Sequence, residues 1–298
     1  MGQNKLEPVG SAMKYLIDYR EGKLKQGLGI DCPALDDYFR HKKSQLNIIL
    51  GHDNVGKTFF IIWYYLCIVL IHKKKVCIWS GENKKGQIMR DLIQMLAGKK
   101  FIELSRSEIQ QYSNFLEYYF VFVDNKHLYK PKELLEVFNE ADCEINLIDP
   151  YTGLDRDMTY QGNYEFLNMS RQFVNETGKT IYVNTHPTSE SGRTSMLYTE
   201  GDWVGQLKPP LRSHIEGGKS FLNRSDDMLI IHRMPSSKTM KYFTLVSTEK
   251  IKDVESGGKI TPLNEPILAE FNYGLGFKFN GVDPLQKYRI TLKSKTIL

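Results

Sequence analysis

Gln45-Leu46-Asn47-Ile48-Ile49-Leu50-Gly51-His52-Asp53-Asn54-Val55-Gly56-Lys57-Thr58 is the stretch that decides the fold. Its opening run, ending at Leu50, is rich in isoleucine and leucine and reads as a buried strand. The eight residues from Gly51 to Thr58 fit G-x-x-x-x-G-K-[ST]. Gly51 and Gly56 let the backbone turn tightly and aim N–H groups at phosphate oxygens. His52, Asp53, Asn54 and Val55 form the rest of the cradle. Lys57 reaches the terminal phosphates and the Thr58 hydroxyl holds Mg²⁺. Residues 57–72 continue as an apolar helix, whose N-terminal end favours negative charge. The strand before and the helix after are the context that makes the pattern a phosphate loop, with ATP and Mg²⁺ as its expected ligands and hydrolysis as its expected chemistry.

Outward from this loop the chain alternates. Residues 75–80, 118–123, 144–149 and 180–185 read as strands. Residues 87–97, 131–139 and 162–176 have helical spacing. Strand–helix alternation up to about residue 186 predicts an α/β fold with a mainly parallel sheet flanked by helices. Residues 187–212 are rich in Ser, Gly, Thr and Pro and read as a long loop, a length that is usually functional or mobile. Residues 228–232 and 242–247 read as strands of an antiparallel C-terminal extension. At the N-terminus, apolar positions 13, 16 and 17 suggest a helical turn or two within residues 1–23, either an arm that packs on something or a frayed end.

Phosphoryl transfer needs a metal ligand opposite the loop and a group that orients water. Asp149 ends the strand at 144–149, where a carboxylate would hold Mg²⁺ beside Thr58. Glu82 comes just after the strand at 75–80 and would polarise the attacking water; a simple helix-start acid is the alternative. His186 ends the strand at 180–185 as a candidate γ-phosphate sensor, with a purely structural histidine as its alternative.

The composition sets looser bounds. The chain has 298 residues, 41% of them apolar and 25% charged, which suits one large domain or two small ones. A net charge of +5 permits an acidic partner without requiring one. Cys32, Cys67, Cys77 and Cys143 are widely spaced with no CxxC pair, so a reducing, cytosolic compartment is expected, with neither a disulfide framework nor a zinc site. The start of the chain is charged and lacks an apolar signal segment. The longest uncharged apolar run, residues 59–71, falls short of the roughly 20 residues of a membrane span.

Several further segments occur in a recognisable order. Gly27-Leu28-Gly29-Ile30-Asp31-Cys32-Pro33-Ala34-Leu35-Asp36-Asp37-Tyr38 precedes the phosphate loop. Ile215-Glu216-Gly217-Gly218-Lys219-Ser220 and Ser225-Asp226-Asp227 to Arg233 come later, then Ser247-Thr248-Glu249-Lys250-Ile251-Lys252-Asp253 with Gly257-Gly258. With Glu82, Asp149 and His186, this series resembles the ATPase domain of DnaB-type hexameric replicative helicases, superfamily 4, over roughly residues 24–280. The resemblance implies a RecA-like fold, an arm at 1–23 and a tail at 281–298. It implies catalytic roles for Glu82, Lys57 and His186, with Lys250 and Lys252 on a hairpin that reaches a neighbouring subunit's nucleotide. Lys252 stands where the family has an arginine finger, and lysine cannot make the planar bidentate contact. Arg233 is a second candidate for that contact and for the nucleotide.

The resemblance also implies single-stranded DNA in a central channel, gripped by loops at about 151–162 and 189–209. Arg193, Lys208 and Arg212 are the candidate phosphate contacts. A ring-shaped homo-oligomer, a hexamer in the family, and a primase or loader are the implied partners. A RecA-type recombinase or filament ATPase, and a nucleotide-gated replication accessory without motor activity, are the competing readings.

Overall fold

A computed structural model describes residues 6–289. Its helices are α1 (Met13–Arg20), α2 (Pro33–Asp36), α3 (Lys57–His72), α4 (Lys85–Ala97), α5 (Arg106–Tyr119), α6 (Pro131–Glu140), α7 (Tyr160–Thr177) and α8 (Lys219–Arg224). Its strands are β1 (Leu46–Leu50), β2 (Val76–Ser80), β3 (Phe120–Phe122), β4 (Ile145–Asp149), β5 (Thr180–Thr185), β6 (Met228–Arg233), β7 (Phe243–Lys250), β8 (Ile267–Phe271) and β9 (Phe277–Lys278). They form one sheet in the order β3-β2-β4-β5-β1-β6-β7-β8-β9. The run from β3 to β6 is parallel, and β7, β8 and β9 join antiparallel. This is the expected mainly parallel α/β sheet with its antiparallel extension.

The strand β1 sits between β5 and β6, with Leu50 opposite Thr185 on one side and Ile230 on the other. It is buried along its whole length, and its side chains divide by the two-residue period of a strand. Ile49 enters the core under α3 and α4, while Leu46, Ile48 and Leu50 enter the core under α6 and α7. Helices on both faces are what a parallel sheet of such apolar strands requires. The helix α3 is apolar on nearly every side and is accordingly buried from Phe60 to Leu70. The chain leaves β1 at its carboxyl end, at the point where the sheet order switches, and there the phosphate loop begins.

Three expectations needed correction. The strand at 118–123 shrinks to Phe120–Phe122, because residues through Tyr119 complete α5. Its cause is local: Ser105 accepts from the Glu108 N–H while the Glu108 carboxylate accepts from the Ser105 N–H, a capping box that starts a helix. The segment 187–212 is not structureless. It carries 3₁₀ turns at Ser189–Gly192 and Thr194–Met196 and a bridge between Leu197 and Leu207. Tyr198 and Trp203 anchor it on Met234, Met240 and Leu245. The extension also holds β8 and β9, for which the sequence pattern carried no clear signal.

All four cysteines are buried. At the N-terminus α1 forms near the apolar positions anticipated, but none of its residues is buried. The tail expected over 281–298 lies partly outside the described residues. Its described part packs on the body, with Leu285 fully buried and Arg289 donating to the Met95 carbonyl. No helix among the described residues is long and apolar enough to cross a membrane.

Candidate nucleotide site

The phosphate loop owes its shape to two glycines. A Cβ at Gly51 would lie 2.4 Å from the Ile231 carbonyl oxygen, so the loop leaves β1 in contact with β6 backbone. Gly56 has φ +84° and opens α3 from the left-handed region. Lys57 folds back over the loop: its ammonium donates to the carbonyls of Gly51 at 2.7 Å and His52 at 2.8 Å. Burial lowers the Lys57 pKa to about 8, although Asp53, Asp149 and Glu82 each act to raise it.

Opposite the loop, neighbouring strand ends converge on Asp149. Its carboxylate, 2% exposed as a residue, accepts from the Thr58 hydroxyl at 2.9 and 3.1 Å. Ser80, its partner in the β2–β4 register, donates at 3.3 Å, and Asn184 of β5 donates at 2.6 Å. His186 comes directly after β5. Its Nδ1 lies 2.6 Å from the Asp53 carboxylate and 3.2 Å from the Lys57 ammonium. The Nδ1–H therefore donates to Asp53, and Lys57 is a close neighbour.

These groups line one cavity of about 490 Å³, together with Glu82, Asn83, Gln87 and Asp91. The structure thus brings together Lys57, Thr58, Glu82, Asp149 and His186, as expected of a hydrolytic set. Ser80 and Asn184 were not anticipated from the sequence. The one available signal was a polar residue inside an otherwise apolar strand, and Asn184 is such a residue.

Other candidates lie elsewhere. Arg233 ends β6, over the Phe271 ring, and lines a second cavity beside the phosphate loop. Lys250 and Lys252 are not brought to the Lys57 cavity of their own chain. The Lys250 ammonium donates to the carbonyls of Leu222 at 2.5 Å and Ser225 at 2.6 Å, and Lys252 pairs with Asp226 at 2.9 Å. Arg193 pairs with Glu190 at 3.6 Å and is mostly exposed. Lys208 lies over the Tyr198 ring, and Arg212 is exposed just beyond. In the 151–162 segment Arg156 points inward, onto the Tyr151 ring and the Glu216 carboxylate.

A cradle of backbone and lysine, a hydroxyl and a carboxylate across from it, and a second carboxylate at the mouth define the RecA-like phosphate-loop ATPase fold. Comparison with solved structures makes the class more particular. The chain superposes on the ATPase domain of a DnaB-like helicase with a TM-score of 0.72 at 12% identity, covering 94% of this chain and 100% of that one. It matches a DnaB-like replicative helicase, studied with its interactions with primase, with a TM-score of 0.71 at 12% identity, covering 92% of this chain and 67% of that one. The fold is that of the ATPase domains of DnaB-like helicases. No protein-family model matches the chain, and no curated protein does.

Proposed function

We propose that the protein is an Mg²⁺-dependent ATP hydrolase that moves on single-stranded DNA as a ring-shaped homo-oligomer. The observation that carries this reading is the meeting of Lys57, Thr58, Glu82, Asp149 and His186 on one cavity. The donor set suits Mg²⁺, a hard cation that takes oxygen ligands. Thr58 hydroxyl and Asp149 carboxylate oxygens are already side by side. Bound there, the metal would neutralise charge on the terminal phosphates. Lys57 would exchange its two carbonyl bonds for phosphate oxygens. Glu82 would orient the attacking water and accept its proton, and His186 would contact the terminal phosphate.

The charge balance of the cavity supports completion by a neighbour. Among its described lining residues Lys57 is the single lysine or arginine, and it faces Asp53, Glu82, Asp91 and Asp149. A triphosphate adds several more negative charges, and developing charge in phosphoryl transfer is commonly met by a cation supplied from another chain. Lys250, Lys252 and Arg233 are the candidates. The 189–209 segment, with Arg193, Lys208 and then Arg212, is the proposed strand-binding loop. A primase or loader would be its functional partner.

A second reading, a nucleotide-gated accessory protein that turns over slowly, is favoured by one observation: Lys250 and Lys252 are both held by their own chain. Hydrolysis measured against protein concentration, with and without single-stranded DNA, separates the two. The motor reading expects the rate per chain to rise with both, and to vanish in Lys57→Ala together with nucleotide binding. A rate flat in both variables establishes the second reading instead. Unchanged ATP affinity in Lys57→Ala would overturn the site itself.

A further inference from the structure

We propose that His52 is a positioning residue that transmits occupancy of the phosphate loop to the 187–212 segment. The inference rests on reading the Lys57 cavity as a nucleotide site. His52 is the one loop residue tied to both sides. Its carbonyl accepts from the Lys57 ammonium at 2.8 Å, and its ring Nε2 lies 3.0 Å from the Ser191 hydroxyl. Ser191 is 2% exposed and spends its single hydroxyl proton on the Thr188 carbonyl at 2.8 Å. The His52 Nε2–H is therefore the donor to Ser191, and the segment's first turn hangs on that bond.

A second imidazole holds the other end of the same segment. His232, at 1% exposure, lies with Nε2 2.8 Å from the Leu207 carbonyl, and its ring meets that of His52 edge-on at 5.7 Å. Leu207 in turn bridges to Leu197. The segment is thus gripped at Ser191 by a residue of the phosphate loop and at Leu207 by a residue of the sheet. Phosphates that draw Lys57 off the Gly51 and His52 carbonyls change the hydrogen bonding of the His52 peptide itself. The Leu207 end stays with β6, so the Ser191 end moves relative to it. A cavity of about 490 Å³ between residues 52–55, Leu197, residues 205–207 and the end of β6 leaves room for the shift. Arg193 lies just beyond the moving turn, which would give a strand-binding loop two positions set by nucleotide state.

Hydrogen–deuterium exchange of the full chain, alone and saturated with a non-hydrolysable ATP analogue, tests this directly. The wild type should show a nucleotide-dependent change in exchange across 187–197, with a smaller change at 205–207. Ser191→Ala should bind the analogue as the wild type does and lose at least half of that change. His52→Ala should lose it as well, and His52→Gln, whose amide can donate to Ser191, should keep it. A wild-type change retained in full by both alanine variants overturns the inference, as does a wild type that binds the analogue with no change at 187–197. A wild type that binds no nucleotide overturns the reading of the site on which the inference stands.

Discussion

The Thr58 hydroxyl donates to Asp149, 2.9 Å from one carboxylate oxygen and 3.1 Å from the other, and so ties the first turn of α3 to the end of β4. Both are oxygen donors of the kind Mg²⁺ prefers, and the metal would take their attention from each other. Asp149→Asn keeps the shape and removes the charge. Hydrolysis should fall about 100-fold, the upper part of the range seen when a metal site loses one supporting group. A titration of Mg²⁺ at fixed ATP should show half-saturation moving to higher metal. An unchanged Mg²⁺ requirement would rule out Asp149 as the metal's carboxylate.

Asn184 supports that carboxylate from β5, at 2.6 Å. Both residues are buried, so removal of the amide leaves an acceptor short of a donor where water does not readily replace it. Asn184→Ala should lower stability by about 2 kcal/mol, within the range for a hydrogen bond to a charged group. Urea unfolding of the variant beside the wild type measures this. A midpoint equal to the wild type's would show that Asn184 adds nothing to the carboxylate's setting.

Lys57 sets a pH limit on nucleotide binding. Burial lowers its pKa to about 8 in the free protein, and an arriving triphosphate favours the charged form. Below about pH 8 the ammonium is already present. Above it, binding must take up a proton, so affinity should drop by up to about tenfold per pH unit until the bound-state pKa is passed. Calorimetric binding of the non-hydrolysable analogue between pH 7 and 9.5 would show the fall, with proton uptake visible in buffers of different ionisation enthalpy. Affinity level across that range would contradict the assignment to Lys57.

Two buried histidines govern acid stability. Burial lowers the pKa of His41 to about 3 and that of His232 to about 4, so both are neutral in the folded chain. Unfolded, each would take a proton near its ordinary value of 6.5. Stability that is complete above about pH 6.5 is therefore lost as pH falls toward 4, by up to about 1.4 kcal/mol per unit for each histidine. Denaturant unfolding at pH 7 and pH 5 should show the loss, and His232→Gln should reduce its slope. A slope identical in the variant would remove His232 from the account.

Features legible without coordinates were local or periodic. The phosphate loop announces itself because the residues that meet the phosphates are neighbours in the chain. The strands at Asp149 and Thr185 stand out because continuous apolar runs end there in polar side chains. The helix α5 was missed although Ser105 and Glu108 spell its start, because its apolar positions are sparse and aromatic. Lys250 and Lys252 were placed by likeness to other chains, and no local pattern could say that Asp226 and the ends of α8 would hold them.

The sequence by itself determined that a strand, a phosphate-binding turn and a helix succeed one another, and that parallel strand–helix units surround them. Backbone freedom at Gly51 and Gly56 and the side-chain period of strands suffice for that. The tertiary structure alone decided that β2, β4 and β5 stand side by side, which brings Ser80, Asp149 and Asn184 into one hydrogen-bonded group. It alone set His52 against Ser191 and His232 against Leu207. Such contacts join residues far apart in the chain, and their partners are chosen by strand order and packing, for which no short stretch carries a signal.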